Sequence, residues 1–134
     1  MTTLVSIVLA MAFASPGPMP KRQGCVNYVG SAAGNDPDLV LRLQLCKRGA
    51  QVTGLFQISG KQSGWNERTV AGTARGAKFV LHDVTIIEDH PNEGWRFCLA
   101  ERYDLKLDGD QLSGTYDSAA CDDHGAVSLR RSDQ

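Results

Sequence analysis

Histidine and carboxylate side chains are most concentrated in residues 82–90. This segment contains His82, Asp83, Glu88, Asp89 and His90. Imidazole and carboxylate groups are common ligands of zinc and other divalent ions. A metal-assisted hydrolase centred on His82, Asp83 and His90 is therefore one functional hypothesis. The other interpretation is a solvated acidic loop, which the following proline favours because proline disrupts strand pairing. The spacing of these residues does not favour a metal site over a solvated loop, so we predict no metal site here.

Nucleophilic catalysis has no support in the sequence. There is no G-x-S-x-G motif of the kind that presents a nucleophilic serine at a strand-to-helix turn. The four cysteines lack the close C-x2-4-C spacing of structural zinc sites, and oxidised cysteines are not nucleophiles. We predict no catalytic residue and no cofactor.

The aromatic residues favour a binding function instead. Trp65 follows the polar run from Gly60 to Gly64, and Trp95 follows a second polar run. Loops mounted on a rigid sheet often carry function, and tryptophan and tyrosine are enriched at binding hot spots. Candidate ligand contacts are Trp65, Trp95, Tyr103 and Tyr116. The alternative is that these rings only fill the core.

The cysteines Cys25, Cys46, Cys98 and Cys121 form an even set that permits three disulfide connectivities. We predict Cys25–Cys46 and Cys98–Cys121, because each bridge closes a short loop within one half of the chain. Loops of this length give roughly 3 kcal/mol of stabilisation in the chain-entropy model.

The N-terminus has the pattern of an export signal. Residues 1–14 carry no charged side chain and end in Ala12, Phe13 and Ala14, a small-x-small cleavage pattern. We predict a signal peptide over 1–14, a disordered leader tail over 15–24 rich in proline and glycine, and a single domain over 25–134. The apolar run is shorter than the ~20 residues needed to cross a bilayer, so no stable membrane anchor is expected.

Overall charge excludes some partners. The chain has 14 basic and 15 acidic residues, which nearly cancel. Proteins that bind nucleic acid usually present a strong positive field, so we expect no nucleic-acid partner. An unknown small molecule or an extracellular protein remains the expected partner, in a secreted or periplasmic location.

Alternation of apolar and polar residues predicts β-strands. Leu39, Leu41, Leu43 and Leu45 share one face, a period of two that an amphipathic helix does not produce. No dozen-residue window has sustained helical periodicity. The candidate strands are Cys25–Gly30, Leu39–Leu45, Val52–Ile58, Glu67–Ala74, Lys78–Val84, Trp95–Ala100, Tyr103–Asp108, Gln111–Asp117 and Ala126–Arg131.

An internal repeat indicates how these strands are organised. Residues 49–56 align with residues 109–116: each copy has a turn glycine, then an apolar residue, a strand glycine (Gly54 or Gly114) and an aromatic ring. A weaker third copy includes Gly72. Strand glycines mark bends or close backbone approach, which help a sheet to close. We predict an all-β fold, an antiparallel up-and-down barrel or tight sandwich of about eight short strands.

The run from Leu112 to Ala119, LSGTYDSA, resembles one strand of the avidin family. In that family the positions of Tyr116 and Ser118 contact biotin. The resemblance covers eight residues, and both tryptophans of this chain precede it, whereas in the family tryptophan-bearing strands follow it. We interpret the run as a pattern that hairpin packing itself requires.

The sequence therefore favours a secreted or periplasmic β-barrel binding module, either a ligand carrier or an inhibitor of a hydrolase. A carrier requires an internal apolar cavity, whereas an inhibitor requires a protruding loop such as Ser59 to Arg68.

Overall fold

The computed structural model describes residues 15–33 and 36–133, and this part of the chain contains eight strands and no helix. The predicted signal peptide lies outside the described residues. The strands are β1 (Cys25–Ala32), β2 (Val40–Arg48), β3 (Gln51–Gly60), β4 (Gly64–Arg75), β5 (Lys78–Pro91), β6 (Arg102–Asp108), β7 (Gln111–Ser118) and β8 (Asp123–Ser132).

Each strand pairs antiparallel with the next along the chain, and β8 pairs with β1 to close the sheet. The predicted all-β, up-and-down barrel is confirmed, and the barrel rather than the sandwich is the correct form. Closure leaves none of the eight described strands as a complete edge strand with unpaired backbone groups.

The two ends of the barrel differ in their connections. One end has the two-residue turns β2–β3, β4–β5 and β6–β7. In each of them the first residue is a glycine, Gly49, Gly76 or Gly109, with φ values of 62°, 59° and 63°, a backbone conformation that glycine adopts readily at the first central position of a tight hairpin turn. The other end, called the open end below, carries the longer connections, including residues 92–101 between β5 and β6.

The interior is filled by alternate residues of every strand. Leu43, Val70, Leu81, Leu112 and Leu129 are all at most 2% exposed. These residues lie between the middle of the barrel and its short-turn end, so the apolar core closes that end and leaves the polar and aromatic groups nearer the open end.

Interior glycines allow the strands to approach closely. A Cβ added at Gly114 would lie 1.9 Å from the Asp104 carbonyl oxygen, and one at Gly72 would lie 1.8 Å from that of Val80. These are backbone atoms that a rotamer change cannot move. The predicted role of the strand glycines in close backbone approach is confirmed.

Gly114→Ala is expected to lower the free energy of unfolding by about 1–3 kcal/mol, because the β6–β7 pair must separate to admit the methyl group. The matched control is Thr115→Ala, one residue further along β7 on the exposed face, with an expected change within about 0.5 kcal/mol. Urea denaturation of both variants measures the difference. Equal stabilities would contradict the steric argument.

The predicted strand Trp95–Ala100 is wrong. Residues 92–101 form an irregular loop in which Phe97 is buried and Ala100 has φ 62°. The strand before it is longer than predicted and runs to Pro91. Its register with β4 shifts twice, between Glu67 and Arg68 and between Thr69 and Val70. These bulges accommodate two extra β5 residues and keep Asp83 and Asp89 directed toward β4.

Residues 15–24, expected from their composition to be disordered, run along the outside of the barrel. The Gln57 side-chain amide donates to the Gly17 carbonyl at 3.0 Å, and that of Gln44 donates to the Pro20 carbonyl at 2.6 Å. Both glutamines point away from the core and are nevertheless only 1% exposed. Proline-rich backbone has unpaired carbonyl groups, and these two amides use them as acceptors.

Both predicted disulfides are confirmed. Cys25 and Cys46 are directly opposite in the β1–β2 ladder, with a Cα–Cα distance of 4.2 Å. Cys98 and Cys121 join the 92–101 loop to the β7–β8 connection at the open end, with a Cα–Cα distance of 5.9 Å. No described cysteine is free.

Candidate functional site: a cavity at the open end of the barrel

A cavity of about 410 Å³ occupies the open end of the barrel. Its apolar wall comes from several strands: Leu41 from β2, Phe56 and Ile58 from β3, Tyr103 from β6 and Val127 from β8. All five are buried and belong to the core cluster. The cavity is therefore a continuation of the barrel core that side chains do not fill.

The 92–101 loop completes the wall with Trp95 and Phe97. Their rings meet edge to face with centroids 6.3 Å apart, and Phe56 and Tyr103 form a similar pair at 5.3 Å. The Trp95 indole Nε1 is buried and has no hydrogen-bond partner among the described residues. An unpaired buried donor costs free energy that an acceptor on a bound molecule would recover.

Beside the cavity lies a buried ionic cluster around Arg68. The Arg68 guanidinium donates from Nη1 to Asp83 Oδ2 at 2.8 Å, to Glu101 Oε1 at 3.1 Å and to the Cys98 carbonyl at 3.0 Å. Burial alone would lower the pKa of Arg68, but Tyr103, Asp83 and Glu101 together raise it. Arg68 is therefore a permanent cation that joins β4, β5 and the loop.

Two further groups orient the cluster. Asn66 Oδ1 accepts from Arg68 Nε at 2.7 Å, and the Tyr103 hydroxyl donates to Asp83 Oδ1 at 2.9 Å. Burial, reinforced by the charge of Glu101, raises the pKa of Tyr103 well above its ordinary value. Its hydroxyl thus stays protonated, so that it continues to donate to Asp83.

Glu101 is the charged side chain of this cluster that lines the cavity. Burial raises its pKa to about 7, and the neighbouring Asp83 and Asp123 add to the shift, while the Arg68 charge opposes it. The imbalance is simple: one guanidinium faces two carboxylates. Protonation of Glu101 makes the three groups neutral overall.

Glu101 is expected to make stability depend on pH. Its pKa in the folded state lies above its ordinary value of 4.5, so its contribution to stability is complete below about pH 4.5 and is lost as the pH rises through about 7. The slope cannot exceed one proton, about 1.4 kcal/mol per pH unit. Urea titrations of wild type and Glu101→Gln from pH 4 to pH 8 measure this term, which should disappear in the variant. An unchanged difference between the two proteins across this range would contradict it.

At the rim, Asp36 is a buried carboxylate with a structural role. Its oxygens accept the backbone N–H of Asp38 at 3.0 Å and that of Ser63 at 3.1 Å. Burial would raise the pKa of Asp36, but the hydrogen bonds from Asp38 and Ser63 outweigh it and hold the pKa below the ordinary value. This ionised group fastens the β1–β2 connection to the β3–β4 turn.

Comparison with protein-family models, curated proteins and solved structures found no match. Within residues 15–33 and 36–133, no helix has the length and apolar character needed to span a membrane. The two disulfides indicate an oxidising compartment, extracellular or periplasmic.

Three of the four predicted contact residues line the cavity: Trp95, Tyr103 and Tyr116. Tyr116 also donates from its hydroxyl to the Ala33 carbonyl at 3.0 Å, which fixes its ring at the rim. Trp65 does not line the cavity. It alternates with the inward-facing Asn66, and its ring stacks on His90 with a centroid distance of 4.4 Å.

The hypothetical metal ligands are not brought together. Asp83 binds Arg68 and Tyr103, whereas the His90 ring is 2.8 Å from Glu88, and His82 is exposed opposite Ala71. Among the described residues no group of three or more histidine, cysteine, aspartate or glutamate side chains has an arrangement that could hold a metal. The geometry of this segment gives the hydrolase hypothesis no support.

Sequence reasoning missed Arg68, Glu101 and Phe97. The sequence did contain a signal for Arg68. Arg68 is spaced by two residues from Val70, and Gly72 and Ala74 continue this spacing, so all four lie on the inward face of β4. A charged residue on a core face must find a buried partner or a functional role. Glu101 and Phe97 gave no comparable signal, because they lie in an irregular loop whose sequence alternates like a strand.

Proposed function

We propose that this protein is a secreted or periplasmic binding module that holds a small ligand in the open end of the barrel. The cavity supports the proposal by its size, because small-molecule pockets have volumes of roughly 300–1,000 Å³. Its wall combines apolar and aromatic side chains, which can hold the body of a ligand, with ionisable side chains that can fix its orientation.

The observation that carries the proposal is the unfilled end of an otherwise packed core. Leu41, Phe56 and Val127 contribute to the core cluster and also line open space. Protein cores are normally packed to the density of organic crystals, so open space beside these apolar side chains forfeits dispersion contacts. A ligand that filled it would restore those contacts.

The carrier form is favoured over the inhibitor form. The segment suggested as an inhibitory loop, Ser59 to Arg68, belongs to β3 and β4 except for the turn at residues 61–63. Within that turn Ser63 is buried and bound to Asp36. A segment held in this way does not protrude into the active site of another protein.

Isothermal titration calorimetry with small aromatic compounds tests the proposal. Wild type should bind at least one such compound with a single site, and Ala33→Phe, which adds a ring at the cavity rim, should weaken binding by at least tenfold. The matched control is Val29→Phe, which adds the same ring to the exposed outer face of β1. Equal binding by both variants would place the site elsewhere and contradict the proposal.

A further inference from the structure

The cavity wall is unusually aromatic for this chain. Five of the eight aromatic residues in the described part of the chain line it: Phe56, Trp95, Phe97, Tyr103 and Tyr116. The faces of aromatic rings carry negative electrostatic potential and attract cations, an effect that increases when the cation is removed from water.

The charged groups of the cavity also favour a cation over an anion. Among the described residues, three carboxylates line it, from Asp36, Glu101 and Asp123, together with the Arg96 guanidinium and the His124 imidazole. Arg96, Asp123 and His124 are exposed, so Asp36 and Glu101 are the buried ionisable groups of opposite charge to a cation. Asp36 is already saturated by the backbone of Asp38 and Ser63. Glu101 is the buried carboxylate whose negative charge is only partly compensated, because it shares the Arg68 guanidinium with Asp83.

We infer that the ligand is an organic cation, an amine or quaternary ammonium on an apolar body, with its charge beside Glu101 and its body against the aromatic wall. This inference rests on the proposed function and specifies its ligand class. A carboxylate ligand would add a third negative charge next to Asp83 and Glu101. A neutral ligand would leave the charge deficit unchanged.

The groups around Glu101 agree with this assignment. They are Arg68 on β4, Asp83 on β5, Tyr103 on β6, Tyr116 on β7 and Asp123 on β8. Arg68 is the one cation among them, and it is shared with Asp83. A bound ammonium group would supply the missing charge.

In this arrangement, the binding of a cation is coupled to the loss of a proton from Glu101. The pKa of Glu101 is about 7, so at pH 6 the carboxyl group is mostly protonated and at pH 8 mostly ionised. A cation stabilises the ionised form, and its affinity should rise roughly tenfold between these pH values. A carboxylate ligand should show the opposite trend.

Three probes with one aromatic body test the inference by calorimetry: 1-naphthylmethylamine, 1-naphthalenemethanol and 1-naphthoic acid. The amine should bind wild type at pH 8 at least tenfold more tightly than the alcohol or the acid, with release of a proton near pH 7. Proton release is measured in wild type by comparing buffers of different ionisation enthalpy, so it does not depend on a variant that folds.

Glu101→Gln should abolish the preference for the amine and its pH dependence, while the amide oxygen still accepts from Arg68. The control is Glu88→Gln, which removes the same charge from an exposed site on β5 and should leave the preference intact. If the alcohol or the acid binds wild type as tightly as the amine, the ligand class is wrong and the proposed function stands. If none of the three probes binds, the proposed function itself is contradicted.

Discussion

Arg68→Met is expected to lower the free energy of unfolding by about 3–5 kcal/mol, the largest effect of any single substitution considered for this chain. The side chain is fully buried, and its Nη1 atom contacts Asp83, Glu101 and the Cys98 carbonyl. Methionine fills similar space, so the loss comes mainly from two carboxylates left in a buried site without a cation. Urea denaturation at pH 8, where Glu101 is ionised, gives the full effect.

Two comparisons test the cause of this loss. Arg102→Met removes a guanidinium whose ion pair with Asp104 is exposed, and it should cost no more than about 1 kcal/mol. Adding Asp83→Asn and Glu101→Gln to Arg68→Met should recover part of the stability, because the uncompensated charges are then gone. A triple variant less stable than Arg68→Met would show that packing, and not charge, explains the loss.

The features that the sequence predicted well are set by short-range rules. Gly49 and Gly109 occupy turn positions that side-chain-bearing residues rarely adopt, and the flanking alternation then fixes the pairing of β2 with β3 and of β6 with β7. Once these hairpins are in place, Cys98 and Cys121 come close at the open end. The disulfides follow from the same local rules.

The cavity could be predicted only in part, because its wall includes a loop without periodic structure. Trp95 and Phe97 alternate like strand residues, yet the β5–β6 ladder ends at the pair His82 and Arg102. The residues between are held by the bond from Arg68 to the Cys98 carbonyl and by the disulfide. The long-range bond from Arg68 leaves no local pattern in the sequence.

The second disulfide leads to the last prediction. Replacing Cys98 and Cys121 together by serine should lower the free energy of unfolding by roughly 3 kcal/mol in the chain-entropy model. Replacing Cys25 and Cys46 together by serine should lower it by nearly the same amount. The sequence separations are 23 and 21 residues, so the loop-closure terms are almost equal. Non-reducing peptide mapping should first recover exactly these two bridges from wild type.

The two double variants should nevertheless differ in local stability. The Cys25–Cys46 bridge joins strands that the β1–β2 ladder already holds in register, whereas Cys98–Cys121 fastens an irregular loop that carries Trp95 and Phe97. In Cys98→Ser/Cys121→Ser, the amides of residues 92–101 should therefore exchange much faster than the loss in global free energy of unfolding alone predicts. In the other double variant, their exchange rates should rise only as much as that loss predicts. Equal exchange of this loop in both variants would mean that the Arg68 cluster alone holds the cavity wall in place.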